Sequence, residues 1–254
     1  MKNVLFGAVL ALQFLTRIPL PVNCPIDDKT LKWALRFYPM AGFVIGGFLY
    51  LLYLSLNNFI PLYLMTLILL TLWVFLTGGL HLDGVMDVAD AVGSNGSAEK
   101  KIEILKDSRV GSFAVLAALF LLIWKFMLLY SILDFENENN GVYLIFIPVI
   151  SRFQALLHLY LFEPFQKTGM AFYWKKHLSK LDIVMAACWL LPFIIFPVEF
   201  MVIFILQLFF SFLFGRWASS HFNGINGDTV GASIEGAELW NLAVLYSLLL
   251  SGIV

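Results

Sequence analysis

Apolar runs close to the length of about 20 residues that crosses a bilayer as a helix recur along this chain, separated by short polar connections. They predict spans at 37–56, 60–79, 111–131, 142–162, 182–197, 199–216 and 237–254. No alternating strand pattern suggests a barrel, and a helix satisfies its own backbone N–H and C=O groups, as hydrocarbon demands. The expected fold is an all-α polytopic integral membrane protein of about seven transmembrane helices. With no repeat, low-complexity tract or linker to divide it, 1–254 reads as a single membrane-embedded domain. Val4 to Leu15 is apolar after Lys2 but lacks a small-residue cleavage site, so this segment is expected to be retained, either spanning or re-entrant.

Composition agrees with the pattern. The chain is 61% hydrophobic and only 13% charged, with 25 Phe and 7 Trp, and its mean hydropathy is +0.87; a soluble domain of 254 residues cannot hide so much apolar surface. Charge matters through its placement. Lys29, Lys32 and Arg36, then Lys100, Lys101, Lys106 and Arg109, then Lys167, Lys175, Lys176 and Lys180 occupy alternate connections. The connections at Asn57 and Asn58, Asp134 to Gly141 and Pro197 to Glu199 contain neither Lys nor Arg. By the positive-inside rule the basic loops, and the polar stretch from His221 to Gly236, face the cytoplasm. Cys24 and Cys188 fall in a loop and a span, which argues against a disulfide. Gly42 and Gly46 form a GxxxG face suited to close helix packing. Lys125, near the outer end of its span, is expected to snorkel, and the lone His158 and His177 are expected to be structural or interfacial and not ligands.

Against this background the segment GGLHLDGVMDVAD, Gly78 to Asp90, stands out. On a helix Asp83, Asp87 and Asp90 fall at i, i+4 and i+7, within one narrow stripe. Three stacked carboxylates repel one another, and a divalent cation converts that repulsion into binding. Mg²⁺ fits, because it takes hard oxygen ligands and keeps positions open for water and phosphate oxygens. A solvated acidic turn is the alternative. Lys106, Asp107, Ser108 and Arg109 follow just before the third span, where Ser108, Arg109 and helix N-terminal amides can form an anion site; capping by Asp107 or Ser108 is the alternative there. A second polar loop carries Asn223, Asn226 and Asp228 among three glycines. Arg152 lies midway along a span, where a charge requires a polar cavity or a partner.

Six blocks together carry a family resemblance: ALQFLTRIPLP (11–21), FYPMAG (37–42), GGLHLDGVMDVAD (78–90), EILKDSRVGSF (103–113), SRF (151–153) and NGDTVGA (226–232). In this order they resemble the cobalamin synthases, the adenosylcobinamide-GDP ribazoletransferases. Ala91, Asn226 and the stretch EPFQKTGM (163–170) depart from the expected pattern. The resemblance implies a cytoplasmic-membrane (inner-membrane) transferase, with active-site loops facing the cytoplasm, that joins adenosylcobinamide-GDP to α-ribazole or its 5′-phosphate and releases GMP. It implies Mg²⁺ on Asp83, Asp87 and Asp90, charge neutralisation by Arg109 and Lys106, and Asp228 as a further metal ligand or as the base, with His81 second for that role. Ser108, Arg152, Asn226 and Arg17 are the implied substrate-binding residues. The expected partners are these substrates and the lipid bilayer, with no nucleic acid; a homo-oligomer, or association with other corrinoid-pathway enzymes, is compatible with the chain. Two rival readings are a CDP-alcohol phosphotransferase, whose longer signature fails where Val85, Met86 and Asp87 follow Gly84, and a transporter with intramembrane carboxylates, which lacks paired inverted halves here.

Overall fold

The structure, a computed structural model, describes residues 2–135 and 140–252. Helices dominate it and no strand forms among the described residues, where Pro164 and Ile225 make a single parallel bridge. The order is α1 (Lys2–Leu15), α2 (Asp28–Arg36), α3 (Tyr38–Leu56), α4 (Leu62–Thr77), α5 (Leu80–Gly93), α6 (Ala98–Ile104), α7 (Ser112–Asp134), α8 (Tyr143–Leu161), α9 (Met170–His177), α10 (Lys180–Ala187), α11 (Pro197–Phe222) and α12 (Gly227–Leu250).

Four of these, α3, α7, α8 and α11, are long and apolar enough to cross a membrane, and the number rises to six if two bent helix pairs each count as one span. The expected spans at 37–56, 111–131 and 142–162 coincide with α3, α7 and α8 within a few residues. Others are revised. The segment 182–197 holds only eight α-helical residues before it tightens into a 3₁₀ stretch, Cys188–Ile195, with Pro192 inside it. The last helix begins at Gly227 instead of 237, and α11 runs on to Phe222, so the expected cytoplasmic loop from His221 to Gly236 shrinks to a four-residue turn. Asp228, Glu235 and Glu238 therefore sit on a helix. The first apolar segment is a 14-residue helix packed against α2 and α3, shorter than the roughly 20 residues a span needs. Cys24 and Cys188 are both free thiols.

Small residues set the central contact. Ideal Cβ atoms on Gly42 and Gly46 would lie 2.5 Å from the α8 backbone at Pro148 and Ile145, so these glycines let α3 and α8 touch main chain to main chain. Deeper in, α12 is tied to its neighbours by charge. Lys125 of α7 reaches Glu235 and Glu238 at 2.5 Å each, Arg152 of α8 bonds Glu238, and Trp73 Nε1 of α4 donates to Glu238 at 3.1 Å. All four charged groups are buried, and two cations balance two carboxylates. Lys125 thus corrects the snorkelling expectation: its ammonium turns inward because Glu235 and Glu238, placed by sequence in a loop and at the start of a span, face it from one turn of α12. His177 bonds Asp28 at 2.7 Å and the Tyr173 carbonyl at 2.8 Å, a structural role as expected.

Candidate active site at the α5–α12 crossing

Two consecutive glycines make the bend that creates the site. Gly78 (φ 63°) ends α4 and Gly79 (φ 69°) starts α5, both left-handed, a conformation glycine adopts without a Cβ penalty. The helices meet at 86°, so α5 turns sharply away from the α4 axis. It lies across the first turns of α12. Gly84 is the crossing point, where a Cβ would come within 2.6 Å of the Asp228 carbonyl oxygen and 3.3 Å of the Ala232 nitrogen. Asp83 and Asp87, on either side of Gly84, are thereby brought up to Asp228.

The turn before α12 explains how Asp228 is held. Asn226 is the N-cap: its Oδ1 accepts from Thr229 N at 2.9 Å, and the Thr229 hydroxyl bonds back to the Asn226 nitrogen at 2.8 Å. Asn226 Nδ2 donates to Asp228 Oδ2 at 2.7 Å. Both ends of the Asn226 amide are therefore committed to shaping this turn and orienting Asp228.

The aspartate stripe is helical, yet its three members behave differently. Asp83 is exposed and Asp87 half-buried. Asp90 turns to the incoming α7, accepting from Gly111 N at 2.6 Å and Ala114 N at 2.8 Å, and so caps a helix that lacks a cap of its own. This displaces the alternative in which Asp107 or Ser108 caps α7. Among the described residues no three acidic, histidine or cysteine side chains stand close enough together to enclose a metal ion. The donor chemistry nonetheless suits a cation. Burial first, then the charges of Asp83, Asp228 and Asp90, push the Asp87 carboxyl up from 3.8 to about 6. The repulsion expected from the sequence is thus present, with Asp228 as a contributor from across the helix crossing.

That shift has a sign that can be measured. A carboxyl whose folded value lies above its unfolded one is protonated in both states below about 3.8, and its ionisation opposes folding as pH rises through the window up to about 6. Without divalent metal, thermal stability should decline across that window, and Asp87→Asn should flatten this part of the profile; an unchanged profile in the variant would assign the decline to other groups.

Two cavities meet at Asp83. One, about 210 Å³, runs inward among Phe14, Tyr38, His81, Trp174 and Ile234, with Asp83 and Asp228 also in its wall. The other, about 360 Å³, opens among Gln13, Thr16, Arg17, Thr77 and Gly78. Arg17 lays its aliphatic stem over Gly78, where any Cβ would collide with it, and its backbone N–H donates to Leu76 at 2.7 Å. Arg17, His81, Asp83 and Asp228 thus line the two cavities, Asn226 joins them through its bond to Asp228, and Asp87, in neither wall, feels the charges of Asp83 and Asp228. His81 is buried, with its Nδ1 unpartnered, and burial followed by the nearby Arg152 guanidinium lowers its imidazole from 6.5 to about 3. Such a group holds a proton poorly, which ranks it below Asp228 as a base.

The remaining expected residues lie elsewhere. Arg152 is fully buried and engaged by Glu238, so it is a partner within the ion network. Lys106, Ser108 and Arg109 are exposed, and Arg109 pairs with Asp107 at 2.5 Å. Their segment is tethered beside the C-terminal half of α5 through Asp90 and Gly111, but it lines neither cavity. Sequence reasoning missed Phe14, Tyr38 and Trp174, although the first two stand inside the blocks ALQFLTRIPLP and FYPMAG. It also missed Gly84 as a contact point.

The glycine crossing yields a direct expectation. Gly84→Ala should force α5 off α12, and because a misplacement of about 1 Å can cost on the order of 100-fold in rate, activity should fall by about that factor. Gly47→Ala is the control: a Cβ there meets nothing within 4 Å, so activity should persist and the melting temperature hold or rise. Equal activities in the two variants would contradict this role for the crossing.

A family model described as cobalamin-5-phosphate synthase matches residues 7–246. Among curated proteins the chain is similar to the adenosylcobinamide-GDP ribazoletransferase of Halalkalibacterium halodurans, at 36% identity over 99% of both chains. Similar relatives of the same name occur in Geobacillus sp., 34% identical over 98% of both chains, and in Desulfitobacterium hafniense, 35% identical over 94% of this chain and 96% of the relative. No solved structure matches the chain.

Proposed function

The chain belongs to the cobalamin-5-phosphate synthase family, and from that premise we propose that its α5–α12 site joins adenosylcobinamide-GDP to α-ribazole or its 5′-phosphate, with release of GMP. Membership sets aside the CDP-alcohol phosphotransferase and transporter readings. The observation that carries the site assignment is the meeting of Asp83, Asp87 and Asp228 where Gly84 lets α5 touch α12.

Attack by the ribazole 3′-hydroxyl oxygen on the cobinamide-side phosphorus forms a new P–O bond. The bond from that phosphorus to the bridging pyrophosphate oxygen breaks, and GMP leaves with the electron pair. Asp228, half-buried and oriented by Asn226, accepts the hydroxyl proton. Asp83 and Asp87, with Asp228, are the carboxylates that would hold Mg²⁺; Asp90 is already occupied by the α7 amides. Mg²⁺ bound there would supply charge neutralisation to the pyrophosphate. Arg17, which lines the second cavity together with Asp83, neutralises phosphate bidentately in this reading, ahead of Arg109 and Lys106, which line neither cavity. Lys and Arg are absent from alternate connections, which supports a cytoplasmic site in the inner membrane. Of the expected outward connection from Asp134 to Gly141, residues 136–139 lie outside the described residues.

Membranes containing the protein, supplied with adenosylcobinamide-GDP, α-ribazole and Mg²⁺, should yield GMP and a complete cobalamin in equal amounts. No product with any divalent metal would overturn the proposal.

A further inference from the structure

From the inner of the two cavities we infer that it is the receptor for the benzimidazole base of the incoming α-ribazole, an inference that rests on the ribazoletransferase reading. The cavity is an aromatic chamber. Phe14 and Trp174 pack with ring centroids 5.1 Å apart, Tyr38 and Trp174 at 5.7 Å, and Phe14 and Tyr38 at 6.3 Å. These rings come from α1, α3 and α9, and α9 is pinned to α2 by the His177–Asp28 contact.

What singles this chamber out is its unmet hydrogen bonding. Tyr38 Oη, Trp174 Nε1 and His81 Nδ1 are all buried with no partner in the protein, and all three residues line the same space. Tyr38 is 1% exposed and Trp174 3%. A buried polar group left unsatisfied costs free energy, so three in one chamber point to something that occupies it. Its volume of about 210 Å³ far exceeds the roughly 10–15 Å³ that one water needs.

The chemistry of the wall selects among the reactants. A corrin ring is too large for the chamber. Guanine would bury several donors and acceptors around its edge against a lining dominated by Phe14, Ile234 and other apolar side chains, and unsatisfied polar groups are penalised there. The dimethylbenzimidazole of α-ribazole is flat, largely apolar, and offers a single free ring nitrogen as acceptor, which the Trp174 indole N–H or the Tyr38 hydroxyl can satisfy. With the base seated inward, the ribose emerges at the mouth where Asp83 and Asp228 stand, which is where the attacking hydroxyl is needed. Tyr38 and Trp174 are then positioning residues for the nucleophile.

The test uses the full chain in membranes or detergent, with each substrate varied in turn and α-ribazole binding also measured alone. Trp174→Phe and Tyr38→Phe keep a ring and remove one donor each; loss of whichever donor bonds the single ring nitrogen should raise both KM and Kd for α-ribazole about fivefold, the equivalent of one neutral hydrogen bond, and neither variant should move KM for adenosylcobinamide-GDP. Ala171→Leu, which pushes a larger side chain into the chamber, should abolish α-ribazole binding in a protein that melts as the parent does. Unchanged α-ribazole constants in both variants, a fall in kcat alone, or a rise in KM for adenosylcobinamide-GDP would each overturn the inference while an active parent keeps the ribazoletransferase reading intact. A parent that releases no GMP would instead remove that reading and this one with it.

Discussion

Asp83→Asn, Asp87→Asn and Asp228→Asn should each lower turnover by about 100- to 1000-fold, the range expected when one preorganised electrostatic element is removed from a site where charge develops. Asparagine keeps the shape of each side chain and removes the charge, so membrane insertion and folding should persist. For Asp228 two losses coincide, the base and the cation-facing carboxylate, and its variant should be the weakest of the three. Arg17→Lys should fall less far, with a higher KM for adenosylcobinamide-GDP, since a lysine keeps the charge but not the bidentate fork. Asp90→Asn is the informative contrast. Its carboxylate holds Gly111 N and Ala114 N, and an asparagine can still accept at one oxygen, so this variant should lose about 1 kcal/mol of stability and retain most of its activity. Initial rates of GMP release in membranes, normalised to folded protein, separate these outcomes.

Glu238→Gln should be the most destabilising single change outside the site. Glu238 answers Arg152, Lys125 and Trp73 at once, and all four side chains are buried. Removing its charge leaves two buried cations facing Glu235 alone, and breaking a buried pair in this way typically costs about 3–5 kcal/mol. The double variant Lys125→Met with Glu235→Gln should cost less than Lys125→Met alone, because Arg152 and Glu238 then remain as a neutral pair. Thermal unfolding in detergent measures both, and a Glu238→Gln protein that melts with the parent would show that the network contributes little.

The ion network also shows where sequence reasoning stops. A solitary lysine in an apolar helix looks the same whether its ammonium snorkels to the interface or finds acids from another helix, and Lys125 is 110 residues from Glu235. The available signal was the spacing of Glu235 and Glu238, one helical turn apart in a stretch otherwise apolar enough to be helix. Reading 221–236 as a loop concealed it. The long uninterrupted spans α3, α7 and α8 were legible because their apolar length alone determines them, whereas the segment 182–197 was not, because Pro192 converts an apolar run into a 3₁₀ stretch without changing its hydropathy. The Gly42–Gly46 face behaved as its spacing implied.

Within the site, local order carried further than long-range pairing. The helical stripe of Asp83, Asp87 and Asp90 followed from spacing, and the repulsion within it appears in the raised Asp87 carboxyl. That Asp90 serves α7 while Asp228 takes its place beside Asp83 could not be read from the stripe, because it depends on Gly84 and Gly111, two glycines whose value lies in what approaches them. The chamber behind the carboxylates needs α1, α3, α9 and α12 together, and no segment announces it alone.

The proposed cation-binding cluster of Asp83, Asp87 and Asp228 can be probed by melting the parent, Asp87→Asn and Asp90→Asn in detergent at neutral pH with and without Mg²⁺. A cation bound only by the folded protein raises the melting temperature in proportion to its occupancy. The parent and Asp90→Asn should both gain stability from Mg²⁺, while Asp87→Asn, already relieved of one repelling charge, should match or exceed the parent without Mg²⁺ and gain little when it is added. A Mg²⁺ response that survives intact in Asp87→Asn and vanishes in Asp90→Asn would contradict the cluster.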